Sequence, residues 1–255
     1  MAEHIESRIR LDACLVERGL SPTRSRARDA IQRGHVRVEG RVETKASLAV
    51  DPGAAIAIDD PAQAYVSRAA LKLKAGLDGF GANPAGRSAL DVGASTGGFT
   101  QLLLERGAAH VLAIDVGHDQ MNPVIAADPR VSCIEGLNAR EMTREDLFGR
   151  SFDFLVADVS FISLTLALPP ALELAEPGTE AVLLVKPQFE AGREAIGKGG
   201  LLRDPSQAET VAARLRDWLD AQPGWQALEL IDSPILGGDG NREFLLHGRK
   251  AKSCT

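Results

Sequence analysis

The chain has no apolar run long enough to cross a bilayer. Its strongly apolar stretches, such as Ala181 to Val185, fall far short of the about 20 residues a membrane helix needs. The opening Met-Ala-Glu-His-Ile-Glu is polar and acidic, unlike a secretory signal. Cysteine is scarce. Cys14, Cys133 and Cys254 lie far apart with no C-x-x-C spacing, which argues against a disulfide framework and a zinc site, and no other metal set is expected. Cys14 and Cys133 read as small core residues and Cys254 as part of a tail. Internal repeats and low-complexity tracts are also missing. These absences point to a reducing cytoplasm rather than a membrane or an export route.

What is present is ordinary for a soluble globular protein: 44% hydrophobic and 25% charged residues over 255 positions. That length accommodates one large domain, or one of about 150–200 residues with a small companion. The net charge of −6 argues at first against a nucleic-acid partner. Its distribution does not. From Arg8 to Lys45, ten Lys/Arg stand against five Asp/Glu, whereas residues 61–255 hold 19 basic and 25 acidic residues. A basic, phosphate-facing module attached to an acidic body accounts for this asymmetry.

Asp-Asp-Pro-Ala-Gln-Ala at 59–64 interrupts the apolar patterning and marks a linker, placed at 61–66 between a first domain (1–60) and a second (67–255). In the first domain, Leu11, Cys14, Leu15 and the stem of Arg18 share a helical face. Ser21-Pro22-Thr23 starts a second helix that turns Ala27, Ala30 and Ile31 inward and Arg24, Arg26, Arg28 and Arg33 mostly outward. Gly34 ends it. Val36–Val38 and Arg41–Glu43, joined through Glu39-Gly40, form a hairpin, and 54–58 another strand. With Arg-Leu-Asp-x-x-Leu at 10–15, Ser-Arg-Ala-Arg at 25–28 and Gly-His-Val-Arg-Val-Glu-Gly at 34–40, this unit resembles the S4 RNA-binding fold, an α+β module. The resemblance implies RNA contacts by Arg24, Arg26, Arg28, Arg33 and His35.

From Ser88 strands and helices alternate. Strands are expected at 89–92, 111–114, 131–134, 154–157 and 181–186, with two more at 225–231 and 243–247. Helices are expected at 98–107, 164–174 and 207–220. Repeated βα units define an α/β fold with a mostly parallel sheet between helices.

Asp91-Val-Gly-Ala-Ser-Thr-Gly-Gly-Phe99 lies where the first of these strands turns into a helix, and ligands of open α/β sheets bind outside the carboxyl ends of strands. Glycines at 93, 97 and 98 allow close backbone approach, and the helix start favours an anionic group. Ser95 stands where a dinucleotide G-x-G-x-x-G would have its second glycine. The segment instead resembles the D-x-G-x-x-x-G signature of Rossmann-like class I methyltransferases. Asp91, Gly93, Ser95, Gly97, Gly98 and Phe99 are therefore expected to surround S-adenosylmethionine. Asp115 closes the next strand, 22 residues after Gly93, where a carboxylate can accept ribose hydroxyls. Asn138, after the third strand, is expected at an adenine edge.

Methylation of a ribose 2′-hydroxyl needs a base to take the proton as oxygen attacks. A lysine serves only in its neutral form, which burial or a second cation favours. Lys72, Asp158, Lys186 and Glu243 supply two lysines and two carboxylates; Asp158 and Lys186 end strands beside the glycine turn.

Across nearly the whole chain, the ordered set S-R-A-x-x-K-L, D-x-G-A-S-T-G-G-F, A-D-x-S-F-I-S and V-K-P-Q-F-E resembles the TlyA, or haemolysin A-like, family, which joins an S4 domain to an FtsJ-like methyltransferase domain. That resemblance implies 2′-O-methylation of cytidines in ribosomal RNA, free or in ribosomal subunits, with a Lys72-Asp158-Lys186-Glu243 tetrad and Lys186 as base. An amino-methylating enzyme fits less well, because Asp158-Val-Ser-Phe161 lacks the two prolines usual there. A non-catalytic ribosome-binding protein and a membrane-active cytolysin are the alternatives from other classes. The glycine-rich stretch 192–200 is open to two readings, a gating loop or a plain connector.

Overall fold

A computed structural model describes residues 8–252; Cys254 lies outside them. The chain forms two compact units, one ending at Gln63 and the other beginning at Ala64.

The first unit opens with β1 (Ile9–Arg10) and α1 (Leu11–Glu17), followed by α2 (Arg24–Gln32). Thr23 starts α2 as its side-chain oxygen accepts the Arg26 N–H. Leu11, Cys14, Leu15, Ala27, Ala30 and Ile31 close a small core. Arg18 is exposed rather than part of that face, and donates to the Ala54 carbonyl at 2.7 Å. The hairpin β2 (Val36–Val38) and β3 (Arg41–Glu43) forms in the expected register. β4 (Ala49–Val50) pairs with β1, and β5 (Ile56–Ile58) with β2. The strand expected from residue 54 starts two residues later.

The second unit begins with α3 (Ala69–Phe80). Then follow β6 (Ser88–Val92), α4 (Gly98–Glu105), β7 (His110–Asp115), α5 (Pro123–Ala126), β8 (Val131–Glu135) and β9 (Phe154–Ala157). Next come α6 (Leu164–Ala167), α7 (Pro169–Leu174), β10 (Glu180–Val185), α8 (Pro187–Glu190), α9 (Gln207–Asp220), β11 (Trp225–Asp232) and β12 (Phe244–Lys250). The single helix expected at 164–174 is two, because Pro169-Pro170 cannot continue the hydrogen bonding of α6.

The seven strands run β11-β12-β10-β9-β6-β7-β8, and only β12 opposes the direction of the others. Strict alternation builds a core on each face. Leu90, Val92, Leu183 and Val185 meet α6, α7 and α9, while Ala89, Val182 and Leu184 meet α3 and α4. Cys133 is exposed on the edge strand β8, not in the core. β6, between β9 and β7, marks the reversal of strand order, and its carboxyl end is where such sheets bind ligands. Among the described residues no helix is long and apolar enough to cross a membrane.

Candidate active site

A cleft of about 130 Å³ opens at that end of the sheet. It is lined by residues 93–96, Gly98 and Phe99 of the turn, though not by Gly97, by Ser67 and Ala69, and by Asp158, Ser160 and Lys186. Complete small-molecule sites run to roughly 300–1,000 Å³, so the cleft accommodates one end of a cofactor-sized ligand.

The turn is shaped by its protein neighbours before any ligand arrives. A Cβ on Gly93 (φ +83°) would lie 2.7 Å from the Asp158 carbonyl oxygen, and one on Gly97 (φ +91°) 2.5 Å from Met121 Sδ. A Cβ on Gly98 would meet that of Ser67 at 2.8 Å. Glycine is thus required here chiefly for packing within the protein. Asp115 fixes the turn from the next strand: Ser95 N–H donates to one of its oxygens at 2.8 Å and Gly117 N–H to the other at 2.7 Å. Each oxygen keeps a further lone pair for an incoming hydroxyl.

One expected ligand contact, Asp91, is placed otherwise. Asp91 is fully buried beneath the turn and does not line the cleft. One of its oxygens accepts from Thr100 Oγ at 2.7 Å; the other is buried without a hydrogen-bond partner. Burial pushes its carboxyl up to about 7, helped by the negative charges of Asp158 and Asp115 and opposed by the Thr100 hydroxyl. Asp91 braces the turn from below. Asn138 lies three residues beyond β8 and starts a short 3-10 turn, its side chain accepting from Arg140 N–H and donating to Glu141. Phe99 is buried but reaches the cleft wall.

Strand register brings the chemistry-bearing residues to the same end. Val92 and Leu183 both flank Ala157, so the chain after these positions carries Gly93, Asp158 and Lys186 out together. Val185 pairs with Phe244, and the next residue outward on each strand is Lys186 and Glu243. Glu243 precedes β12 instead of opening it. Lys186 Nζ lies 2.6 Å from Asp158 Oδ1, an ion pair without hydrogen-bond alignment, and donates to Ser160 Oγ at 2.8 Å. Lys72, on α3, donates to Glu243 at 2.5 Å, both side chains being more than nine-tenths buried. α3 sits close to the sheet because Gly76, one turn on, offers no Cβ to strike Val182.

Sequence reasoning missed the supporting residues. Ser160 stands two positions after Asp158, a spacing that offered a signal. Glu190 accepts from Ser163 Oγ–H and, at 2.8 Å, from Leu164 N–H, tying the loop after β9 to α8; burial raises its carboxyl. Glu135 accepts the N–H groups of Asp119, Gln120 and Met121, seating Met121 beside Gly97. The glycine-rich stretch folds back through an Ile196–Leu202 bridge. Buried Asn241 binds it, accepting from Leu202 N–H at 3.1 Å and donating to the Gly200 carbonyl at 2.9 Å. It is a docked loop, held by a residue two positions before Glu243.

In the first unit, Arg24 and Arg28 are exposed along one face of α2 and both reach Asp12. Arg26 donates to the Ala62 carbonyl. Arg33 is not outward: its side chain is 14% exposed and clamped between Asp29 and Asp60. His35 is half-buried, its ring nitrogen 2.8 Å from the Asp59 carbonyl.

The sheet order, the glycine turn and the acid at the end of β7 define a Rossmann-like methyltransferase fold. Residues 65–250 match the model of the FtsJ-like methyltransferase family, and residues 9–56 that of the S4 domain. The chain belongs to the TlyA family of S4-bearing, FtsJ-like methyltransferases. It is 45% identical, over 94% of its length and 89% of the relative's, to the 16S/23S rRNA (cytidine-2′-O)-methyltransferase TlyA of Mycobacterium tuberculosis. It is 37% identical to Hemolysin A of Brachyspira hyodysenteriae, over 94% of this chain and 99% of that one. A solved structure of a candidate hemolysin from Streptococcus thermophilus superposes with a TM-score of 0.74 at 37% identity, covering 97% of this chain and 90% of that one.

Proposed function

We propose that the protein methylates the 2′-hydroxyl of cytidines in ribosomal RNA, drawing the methyl from S-adenosylmethionine. The observation that carries this reading is the convergence of Asp158, Lys186 and Glu243 on the sheet end that holds the glycine cleft. The 45% identity to a relative named for that reaction supports the choice of substrate.

The residues present fit the cofactor. The turn of residues 93–98 and the start of α4 would hold the carboxylate of its methionine end. Asp115, with both oxygens already oriented by N–H donors, would accept the ribose hydroxyls. When bound, S-adenosylmethionine supplies a methyl made electrophilic by the sulfonium.

The protein's own contribution is to move one proton. Lys186 Nζ, once it has given up its own proton, would accept that of the 2′-hydroxyl, and Asp158 at 2.6 Å would stabilise the ammonium that results. Ser160 holds the amine in position. Glu243 and Lys72 complete the tetrad as a buried pair at the adjoining strand end. The basic first unit recruits RNA through Arg24, Arg26 and Arg28, with Arg33 and His35 shaping the same module. No membrane is involved, and the cytoplasm is the expected location.

The test is methyl transfer from labelled S-adenosylmethionine to purified ribosomal RNA, followed by digestion to nucleosides. Label in 2′-O-methylcytidine is expected. Label confined to a methylated base, or no transfer to RNA or ribosomal subunits, contradicts the proposal.

A further inference from the structure

The first unit holds a cluster that its charge count alone does not reveal. Asp12 is completely buried, yet it is surrounded by three arginine side chains that are each about half exposed: Arg10 at 47%, and Arg24 and Arg28 at 50%. Arg10 donates through Nε and Nη2 to the two Asp12 oxygens at 3.0 and 3.1 Å. Arg24 reaches both oxygens through Nη2, at 3.2 and 3.3 Å, and Arg28 donates through Nε at 2.8 Å. The three come from two elements, Arg10 from β1 and the other two from neighbouring turns of α2. Their hydrogen bonds hold the Asp12 carboxyl far below the usual carboxylate range, so it remains charged.

One carboxylate beneath three guanidiniums leaves a net charge of +2. Each guanidinium has five N–H donors, and Asp12 occupies at most two from any one of them. Arginine ordinarily loses considerable side-chain freedom on binding an anion. Here that freedom is already restricted by a buried anchor, so less is lost when a ligand arrives. Planar donors fixed side by side suit the paired oxygens of phosphodiesters.

We infer that Arg10, Arg24 and Arg28 form a preorganised clamp for consecutive RNA backbone phosphates, and that Asp12, an acid, is the positioning residue that makes it bind. The inference rests on the RNA-binding reading of the first unit and adds to it Arg10 and the role of Asp12. It carries a consequence opposite in sign to simple charge counting. Asp12→Asn makes the unit more positive, and electrostatics alone would tighten its hold on a polyanion. Loss of the anchor instead frees three arginines at once.

The experiment is RNA binding by the full-length chain, using a short RNA hairpin and purified ribosomal RNA over a range of salt, with thermal unfolding followed in parallel. Asp12→Asn is expected to weaken binding about tenfold or more, from the ordering cost restored to three side chains. Arg10→Ala, a half-exposed position that leaves Asp12 two partners, is expected to weaken binding and to flatten the slope of log K against log salt by about 0.7–0.9. It keeps the idea testable if the Asp12 variant unfolds. Wild-type binding with Asp12→Asn equally tight or tighter, or with Arg10→Ala unchanged in affinity and slope, overturns the clamp alone. A wild-type chain without affinity for either RNA overturns the RNA-binding reading, and the clamp with it.

Discussion

Lys72 and Glu243, 171 positions apart in sequence, meet at 2.5 Å in a contact from which water is almost excluded. Such a pair gains little over well-packed apolar groups, but removing one partner strands a buried charge. Lys72→Met and Glu243→Leu are therefore each expected to destabilise the protein by about 3–5 kcal/mol in denaturant unfolding. The double variant is expected to regain most of that stability and none of the methyl transfer. Recovery of activity along with stability would mean that the pair serves the fold alone.

Lys186 makes its contacts with Asp158 and Ser160, not with the Asp115 end of the site. Lys186→Ala is expected to slow methyl transfer by about 10²–10⁴-fold, the usual contribution of an acid–base group. Binding of S-adenosylmethionine, followed by calorimetry, is expected to stay within a few-fold of wild type. A variant retaining more than a tenth of the turnover is not missing its base.

Asp115 is expected to show the reverse pattern. Asp115→Ala removes the proposed acceptor for the cofactor ribose and frees the Ser95 and Gly117 N–H groups. Cofactor affinity should fall by about 1.5–3 kcal/mol, the range for hydrogen bonds to a charged group. Unchanged affinity by calorimetry would place the ribose elsewhere.

Much of this architecture was legible in the sequence, because it rests on local signals. β6, β7, β9 and β10 are near-continuous apolar runs, and the glycine turn announces itself between β6 and α4. Asp158 and Lys186 could be placed because both end such strands. What could not be read depends on partners distant in sequence. The exposed arginine stripe of α2 was visible, but the anchoring of Arg24 and Arg28 on Asp12 was not, since it requires α1 and α2 to be packed. Arg33 looked outward by helical phase, yet Asp60 from beyond β5 draws it in. Asp91 matched a ligand-binding motif, but only the packed sheet shows it to be sealed beneath the turn.

The buried Asp91 carboxyl also has a pH signature. Its folded-state value near 7 lies above the value of about 4 expected in the unfolded chain, so the native state holds the proton more tightly. Its contribution to stability is fully present below about pH 4 and is lost as pH rises through about 7. Asp91→Asn cannot ionise and keeps an acceptor for Thr100. The unfolding temperature of this variant relative to wild type is expected to rise between about pH 4 and about pH 7 and to level off above that. A difference independent of pH would show that Asp91 is ionised throughout.

The central claim is a specific ribose methylation that depends on Lys186, and mapping 2′-O-methyl positions across ribosomal RNA tests it most directly. RNA from cells lacking the protein is compared with RNA from the same cells given back the wild-type chain or Lys186→Ala. The account predicts methylated cytidines that disappear without the protein, return with the wild-type chain and stay absent with the variant. An identical methylation map in all three, or full restoration by Lys186→Ala, would contradict it.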